Sequence, residues 1–174
     1  MNDALALAQK FVNGENVYDV EASVWIAAFQ YIDKHLDVLP FNRSSVHLIW
    51  TESGGHLRNK IRDDQLILRV LRASLPRYQG PGLTLYRGEC KFLYEQGKVG
   101  FCWTPAIEVA KKFASGLNSL EPGGGALLKA FAPSEAILAG PNDHSTSQMQ
   151  EFEHTCDPTA LKDIELVQTF PKLR

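Results

Sequence analysis

LTLYRG, residues 83–88, is the stretch at which the sequence changes from the spacing of helices to the short apolar runs of strands. Alternating apolar residues that end at a glycine are typical of a strand, so we predict a strand over Leu83–Arg87 that ends at Gly88. Further short apolar runs follow it, separated by turn residues, and each predicts another strand. These runs are Val99–Trp103, Ala126–Ala132, Ala136–Leu138, Glu151–Cys156 and Ile164–Phe170.

The residues before this stretch have the spacing of helices. Asn2 or Asp3 can cap a first helix that continues to about Val12. Apolar residues over Trp25–Leu36 recur at i, i+4, i+7 and i+11, which predicts a second, amphipathic helix. A third helix is predicted over Leu66–Leu75.

Two glycine-rich stretches predict turns. TESGG at residues 51–55 predicts a turn between the second and third helices, and Gly123–Gly125 predicts a hairpin turn. Helices followed by strands predict an α+β fold. Because no linker divides the chain, we predict a single domain over residues 1–174, mainly helical over 1–78 and β-rich over 82–172.

The cysteines and the apolar runs indicate a soluble cytoplasmic protein. The three cysteines, Cys90, Cys102 and Cys156, are odd in number and widely spaced, which argues against a disulfide framework. No basic region followed by an apolar core marks a signal peptide at the N-terminus. No apolar run reaches the ~20 residues that a membrane helix needs, so no membrane partner is expected.

Residues 58–77 form a basic segment, with six arginines and lysines against two aspartates. A charged run of this kind is usually a solvated face. The alternative is a surface that contacts phosphates or an acidic partner, and binding to nucleic acid would then depend strongly on salt.

Several familiar chemistries are absent from the sequence. It contains no dinucleotide-binding or phosphate-binding glycine motif, no H-E-x-x-H and no G-x-S-x-G. His144, His154 and Cys156 lie close together, but their spacing matches no standard set of metal ligands, so no metal site is expected. A thiol dyad of Cys102 with a histidine is a weak alternative, because most sequences offer such a pair.

Three separate segments carry polar residues that could work together. The first is the strand that ends in Arg87. The second is Cys102–Pro105, where Thr104 is predicted to cap a helix that Gly116 ends. The third is Glu151–Glu153, whose two carboxylates would point to one face of a strand, roughly 6–7 Å apart.

These segments resemble the mono-ADP-ribosyltransferases of the arginine–serine–glutamate type. In that family an arginine ends the first strand, a Ser-Thr-Ser strand leads into a helix with an Ala-x-x-Phe-Ala pattern, and a Glu-x-Glu strand follows, often with Asp-Pro after it. The matching residues here, in the same order, are Arg87, Cys102–Thr104, Ala110-x-x-Phe113-Ala114, Glu151-x-Glu153 and Asp157-Pro158.

The resemblance implies a fold and an activity. The fold would be a helical N-terminal part packed on a β-rich core of two small sheets. The activity would be that of a glycosyltransferase that uses NAD as co-substrate, cleaves its nicotinamide–ribose bond and transfers ADP-ribose to a target protein. The acceptor would be an arginine, because the first glutamate of the pair goes with arginine acceptors in that family. The protein would be a toxin or effector, or a regulator, acting in its own cytoplasm or in the cytosol of a host or target cell.

The resemblance also implies roles for individual residues. Glu153 would stabilise the cation that develops on the ribose, and Glu151 would take a proton from the acceptor. Arg87 would bind an NAD phosphate or ribose, and backbone groups of Gly88 would hold the nicotinamide amide. Cys102 and Thr104 would lie beside the ribose, and Trp103 would stack near the nicotinamide, although a core position is the more common one for tryptophan.

One residue departs from the family pattern. Cys102 stands where the family's first serine is usual, so a thiol replaces a hydroxyl that hydrogen-bonds the catalytic glutamate, and a thiol is the weaker donor. A literal Ser145-Thr146-Ser147 lacks the helix pattern and is interpreted as a loop. Three alternatives therefore remain: a catalytically degraded binding or inhibitor protein, an NAD glycohydrolase, and a transferase that modifies nucleic acid.

Overall fold

The computed structural model describes residues 2–174, without the side chain of Asn2, and it combines helices with two small antiparallel sheets. The α+β class predicted from the sequence is therefore confirmed. The chain forms two compact units, one of residues 1–77 and one of residues 78–174. None of the helices within residues 2–174 has both the length and the apolar character needed to cross a membrane.

The first unit contains four helices, α1 (Asn2–Asn13), α2 (Ala22–Lys34), α3 (Arg43–Ile61) and α4 (Asp64–Ser74). Two of them begin at side-chain caps: Asn42 accepts a hydrogen bond from the amide of Ser45, and Asp63 accepts one from the amide of Leu66. Aromatic rings of α1 and α2 pack edge-on or tilted in the core of this unit, where Phe11, Trp25 and Phe29 are buried.

The turn predicted at residues 51–55 is wrong, because these residues lie inside α3. Glycine in the middle of a helix weakens it, which is why the sequence suggested a break. Gly54 is kept for a packing reason: a Cβ there would stand 2.9 Å from the Trp50 ring. The tight contact with a buried indole explains a glycine that local propensity alone would place in a turn.

The second unit contains six strands and two helices. They are β1 (Leu83–Cys90), α5 (Lys91–Glu95), β2 (Cys102–Trp103), α6 (Ile107–Ser115), β3 (Gly125–Ala132), β4 (Ile137–Ala139), β5 (His154–Cys156) and β6 (Lys162–Phe170). One antiparallel sheet has the order β1-β3-β6 and the other has the order β2-β5-β4. A β-bridge between Tyr86 and Thr104 joins the middle of β1 to the residue that follows β2. This bridge brings the first two polar segments side by side.

All six predicted strands differ from the observed ones in at least one boundary, and three of these differences affect the site. β1 continues past Gly88 to Cys90, because its pairing with β3 runs on to Gly125. The strand predicted over Val99–Trp103 is reduced to the two residues of β2. The strand predicted over Glu151–Cys156 is reduced to His154–Cys156, so Glu151 and Glu153 lie in the loop before β5.

The start of α6 and the Gly123–Gly125 turn also differ from prediction. α6 begins at Ile107 after Ala106, not at Thr104, because the Thr104 backbone is held in the bridge to Tyr86. The threonine hydroxyl still accepts a hydrogen bond from the amide of Ala106. The glycine turn leads from a 3-10 turn at Leu117–Leu120 into β3 and does not connect two paired strands, so it is no hairpin.

Candidate active site

A pocket of about 340 Å³ opens in the second unit, between β1, β2, α6 and the loop before β5. Its lining includes all seven site residues that the sequence suggested. These are Arg87, Gly88, Cys102, Trp103, Thr104, Glu151 and Glu153. The remaining wall is mostly apolar and is formed by Tyr86, Val109, Ala110, Phe113, Leu117 and Asn118.

Arg87 is anchored at the bottom of this site by a second residue of β1. Its Nε donates to Oε2 of Glu89 at 2.7 Å, and its Nη1 donates to the carbonyl of Cys102 at 2.9 Å. Burial lowers the pKa of Arg87, but the charge and hydrogen bond of Glu89, together with the charges of Cys102 and Glu153, outweigh that effect, and the pKa is raised. The guanidinium is therefore a fixed cation that ties β1 to β2.

Glu89 is almost completely buried, with 1% of its surface exposed. Besides the guanidinium, its carboxylate accepts hydrogen bonds from the amides of Gly100 and Cys90, each at 2.9 Å. Burial raises the pKa of Glu89, but the charge and hydrogen bond of Arg87 and the two amides lower it below its usual value. Glu89 is therefore an ionised carboxylate, and both of its oxygens accept hydrogen bonds.

Two glycines are required by close packing around Arg87. A Cβ at Gly88 would stand 2.5 Å from the carbonyl oxygen of Ala110 and from the amide nitrogen of Ala114, so the missing side chain lets α6 lie against β1. A Cβ at Gly100 would collide with the guanidinium of Arg87. The resemblance implies that backbone groups of Gly88 hold the nicotinamide amide, and the packing of α6 is a separate reason for a glycine at this position.

Cys102 and Glu153 are in direct contact across the pocket. The thiol donates to Oε1 of Glu153 over a sulfur–oxygen distance of 3.0 Å. Burial, followed by the charge of Glu153, raises the pKa of the Cys102 thiol well above its usual value. The sulfur therefore stays protonated and acts as a hydrogen-bond donor, not as a nucleophile.

Glu153 has an unusually high pKa for a carboxyl group. The pKa is raised from 4.5 to about 7: burial is the largest cause and the charge of Glu151 adds to it, whereas the Cys102 hydrogen bond and the charge of Arg87 oppose the increase. Burial also raises the pKa of Glu151. Near neutral pH, Glu153 therefore exchanges a proton readily, as acid–base and electrostatic groups of active sites often do.

The loop that carries both glutamates has an irregular backbone. Gln150 and Phe152 adopt positive φ angles of 54° and 51°, which non-glycine residues rarely take. This conformation brings Glu151 and Glu153 to the same pocket although they do not lie on a strand. The prediction that Glu151 and Glu153 lie on one face of a strand was wrong, but the loop conformation still directs both side chains to the same pocket.

Ser145 holds this loop in place. Its side chain is buried, and its hydroxyl accepts a hydrogen bond from the amide of Glu153 at 2.8 Å. Its carbonyl accepts another from the amide of Glu151 at 2.9 Å. The Ser145–Ser147 stretch is thus part of a π-helical turn, and Ser145 in it holds the backbone of both glutamates by hydrogen bonds.

Trp103 and Thr104 contribute mainly to the framework of the site. Trp103 is 1% exposed, belongs to the core cluster with Leu85 and Leu128, and donates its indole N–H to the carbonyl of Gly100 at 3.0 Å. Thr104 is buried and exchanges two backbone hydrogen bonds with Tyr86. Both residues fix the position of β2 at the edge of the pocket.

A larger apolar groove of about 880 Å³ adjoins the pocket and shares four wall residues with it, Val109, Phe113, Leu117 and Glu151. Beyond these it is lined by side chains that are largely exposed, among them Leu120, Met149, Phe152 and Leu173. Glu151 therefore faces both the pocket and an exposed apolar surface.

The other residues considered from the sequence have different surroundings. The ring of His144 contacts Gln148, and that of His154 contacts the carbonyl of Phe152. Residues 2–174 contain no group of three histidine, cysteine or acidic side chains placed to hold a metal ion. In the basic segment, Arg58 pairs with Asp64 at 2.7 Å and Arg69 pairs with Asp33 at 2.9 Å, so part of its charge is used within the first unit.

Sequence reasoning missed three residues of this site, Glu89, Gly100 and Ser145. Glu89 had a visible signal, because residues i and i+2 of a strand share a face and Glu89 is two positions after Arg87. Gly100 and Ser145 had none, since each acts through a contact that is distant in the sequence.

No protein-family model, curated protein or solved structure matches this chain.

Proposed function

We propose that this protein is an NAD-dependent mono-ADP-ribosyltransferase of the arginine–serine–glutamate type, with its catalytic core in residues 78–174. One observation carries the proposal: Arg87, Cys102 and Glu153, from three separate segments, line one pocket, and the Cys102 sulfur lies 3.0 Å from Glu153 Oε1. The family pattern pairs a serine hydroxyl with the catalytic glutamate in the same relation. The thiol takes that place here.

The first step would break the bond between nicotinamide and ribose. The bonding electrons leave with nicotinamide, which becomes neutral, and positive charge develops on the ribose. A fixed carboxylate beside that charge stabilises it far more in a sheltered pocket than in water. Glu153 is the candidate, because it faces the pocket and becomes ionised as the pH rises through its pKa of about 7.

Arg87 would supply the fixed positive charge of the site. Its Nε and Nη1 are engaged by Glu89 and the Cys102 carbonyl, so the guanidinium is held rigidly where it borders the pocket. A phosphate or ribose oxygen of NAD would meet a preoriented donor there. Backbone groups of Gly88 would receive the nicotinamide amide.

The second step would transfer ADP-ribose to an arginine of a target protein. A nitrogen of the acceptor guanidinium attacks the ribose carbon that nicotinamide has left, and Glu151 accepts the proton that this nitrogen loses. The apolar groove beside Glu151 offers room for the residues that flank the acceptor. With water as the acceptor, the same first step would make the protein an NAD glycohydrolase.

A non-catalytic binding protein with the same pocket is the second candidate. The observation in its favour is Cys102, because a thiol is a weaker hydrogen-bond donor than the serine of the family pattern. Such a protein would bind a partner, and it would neither bind NAD nor release nicotinamide.

The test is nicotinamide release from NAD by the purified protein, with and without cell lysate, together with detection of ADP-ribose on protein bands. Glu153→Ala should abolish release, whereas Glu165→Ala, on the exposed strand β6, is the matched control and should retain it. Glu151→Ala should lose protein labelling but keep slow NAD hydrolysis. Equal loss of both activities in Glu151→Ala would contradict the separate roles, and no release with no NAD binding would favour the binding protein.

A further inference from the structure

Arg87 lies close to two carboxylates but pairs with only one of them. Its Nε contacts Glu89 at 2.7 Å, and its charge also reaches Glu153, whose pKa it lowers. Among the described residues, the ion pair of Arg87 is with Glu89, and Glu153 receives its side-chain hydrogen bond from the Cys102 thiol. The charge of Arg87 therefore acts on both carboxylates, although only Glu89 forms an ion pair with it.

We propose that Glu89 is a positioning residue that holds the guanidinium of Arg87 and thereby prevents Arg87 from pairing with Glu153. The proposal concerns the active site described above, and its catalytic consequence rests on the proposed function. Glu89, which is buried, binds the guanidinium, so Glu153 keeps available to the pocket the oxygen that the Cys102 thiol does not engage.

The surroundings of Glu89 fit this role. Its carboxylate is fixed by the amides of Gly100 and Cys90, so it cannot follow Arg87 toward the pocket. Gly100 has no side chain, which leaves room for the guanidinium between β1 and the residues before β2. The Cys102 carbonyl holds Nη1 in the same orientation. An ion pair with this many supporting contacts is expensive to break, since one partner would remain buried and charged.

Glu153 has a different set of neighbours. The charged and titratable groups around it are Cys102 on β2, Arg87 on β1, Cys156 on β5 and Glu151 on its own loop. Only Arg87 is a cation. Besides Glu89, Glu153 is the carboxylate whose charge acts on Arg87, so without Glu89 it would be the partner left to Arg87, and a guanidinium binds a carboxylate more strongly than a thiol does.

An ion pair between Arg87 and Glu153 would have two measurable consequences. It would favour the ionised form of Glu153, so this carboxyl would titrate at lower pH. It would also occupy the oxygens that have to bind the ribose, so catalysis would weaken although the carboxylate is ionised.

The test is a titration of Glu153 that does not depend on activity. Side-chain carboxyl carbons of ¹³C-labelled glutamate are followed by NMR from pH 4 to pH 9, and Glu153 is assigned from the signal lost in Glu153→Gln. The wild-type midpoint is expected at about 7. Glu89→Gln, which keeps the shape of the side chain and removes its charge, should lower the midpoint.

Two comparisons make the test specific. Glu165→Gln removes an exposed glutamate that pairs with Lys129 at 3.3 Å, and it should leave the Glu153 midpoint unchanged. In an Arg87→Gln background, adding Glu89→Gln should have no further effect on the midpoint, because Glu89 acts through Arg87. A merely structural role of Glu89 would not give this dependence.

Should Glu89→Gln not fold, Glu89→Asp provides the same test. It keeps the buried charge but draws the carboxylate back by one methylene, so the Glu153 midpoint should still fall, by a smaller amount. A midpoint that is unchanged or higher in the folded variant would overturn the proposal.

Activity gives a second readout. At saturating NAD and pH 8, Glu89→Gln should release nicotinamide about tenfold more slowly or worse, the order expected for losing a hydrogen bond to a charged group. Wild-type protein without activity but with the expected midpoint shift would refute the proposed function and leave the role of Glu89 intact. Nicotinamide release that depends on Glu153, without a midpoint shift in Glu89→Gln, would refute the role of Glu89 and leave the proposed function intact.

Discussion

Glu89 and Glu153 are two carboxylates near the same guanidinium, and the two sides of the pocket give them different surroundings. On the β1 side, Glu89 accepts three hydrogen bonds and its pKa is lowered. On the loop side, Glu153 has one thiol donor on its carboxylate, and burial raises its pKa to about 7. The first arrangement stabilises a charge, and the second leaves a charge available for binding.

The comparison shows how a site can hold strong electrostatic groups without neutralising all of them. Glu89, a buried carboxylate with three hydrogen-bond donors, holds Arg87 and so fixes the geometry of β1 and β2. A carboxylate left with few donors is costly for the folded protein, and such costs are often found where a residue has to act on a substrate.

The largest expected effects are stability changes of opposite sign. Glu89→Gln should destabilise the protein at pH 7 by up to about 3 kcal/mol, because it removes the buried counter-charge of Arg87, and a new pair with Glu153 would replace only part of the lost hydrogen bonds. Glu153→Gln should stabilise it at pH 8 by about 3 kcal/mol at most, because the variant no longer has to keep an ionised carboxylate in a buried position. Urea unfolding followed by circular dichroism measures both.

The pH dependence of the Glu153→Gln effect follows from the direction of the pKa change. The folded protein holds the Glu153 proton more tightly than the unfolded chain, whose glutamate has a pKa of about 4.3. The stability from this proton is therefore full below about pH 4 and is lost as the pH rises through about 7. Equal stabilisation by Glu153→Gln at pH 4 and pH 8 would contradict the raised pKa.

A smaller effect is expected from Ser145→Ala. The change removes the hydroxyl that accepts the amide hydrogen bond of Glu153, and it should lower kcat for nicotinamide release about tenfold, the order of one hydrogen bond with a buried partner left unpaired. Ser147→Ala, in the same π-helical turn but exposed, is the matched control and should have little effect. Similar losses in both variants would mean that the turn as a whole, and not this bond, positions Glu153.

The smallest effect is expected from Cys102→Ser. A hydroxyl donates a stronger hydrogen bond than a thiol, so it should favour ionised Glu153 and move the rising limb of the pH–rate profile to lower pH. Activity at neutral pH should be preserved or raised. Complete loss of activity would mean that the thiol has a role of its own, and that Cys102 does not take the place of the family's serine.

The sequence was most informative where a local pattern and a tertiary contact agree. The helices α1, α2 and α4 and the strands β1, β3 and β6 overlap the stretches predicted from caps, apolar spacing and apolar runs. The prediction failed at residues 51–55, where a buried indole requires Gly54 inside a helix, and at Glu151–Glu153, where a loop with positive φ angles replaces a strand. The contact between Gly54 and Trp50 follows only once their common helix is recognised, and the loop depends on its hydrogen bonds to Ser145.

The candidate site was found by residue type and order, whereas its supporting residues were not. Arg87, Cys102 and Glu153 were singled out from three motifs, and the structure brings them to one pocket. Ser145 was interpreted only as part of a loop, because its hydrogen bond to the amide of Glu153 depends on how that loop folds back. Glu89 was not singled out because the predicted strand ends at Gly88, whereas the observed strand continues to Cys90.

The most direct test of the account is the rate of nicotinamide release from NAD between pH 5 and pH 9, measured for the wild-type protein and Glu153→Gln. The account predicts a wild-type rate that rises with a midpoint near pH 7, where Glu153 becomes ionised, and a variant slower by about 10²–10³ with no such rise. Release that is equally fast in Glu153→Gln, or no release at any pH together with no NAD binding, would contradict it.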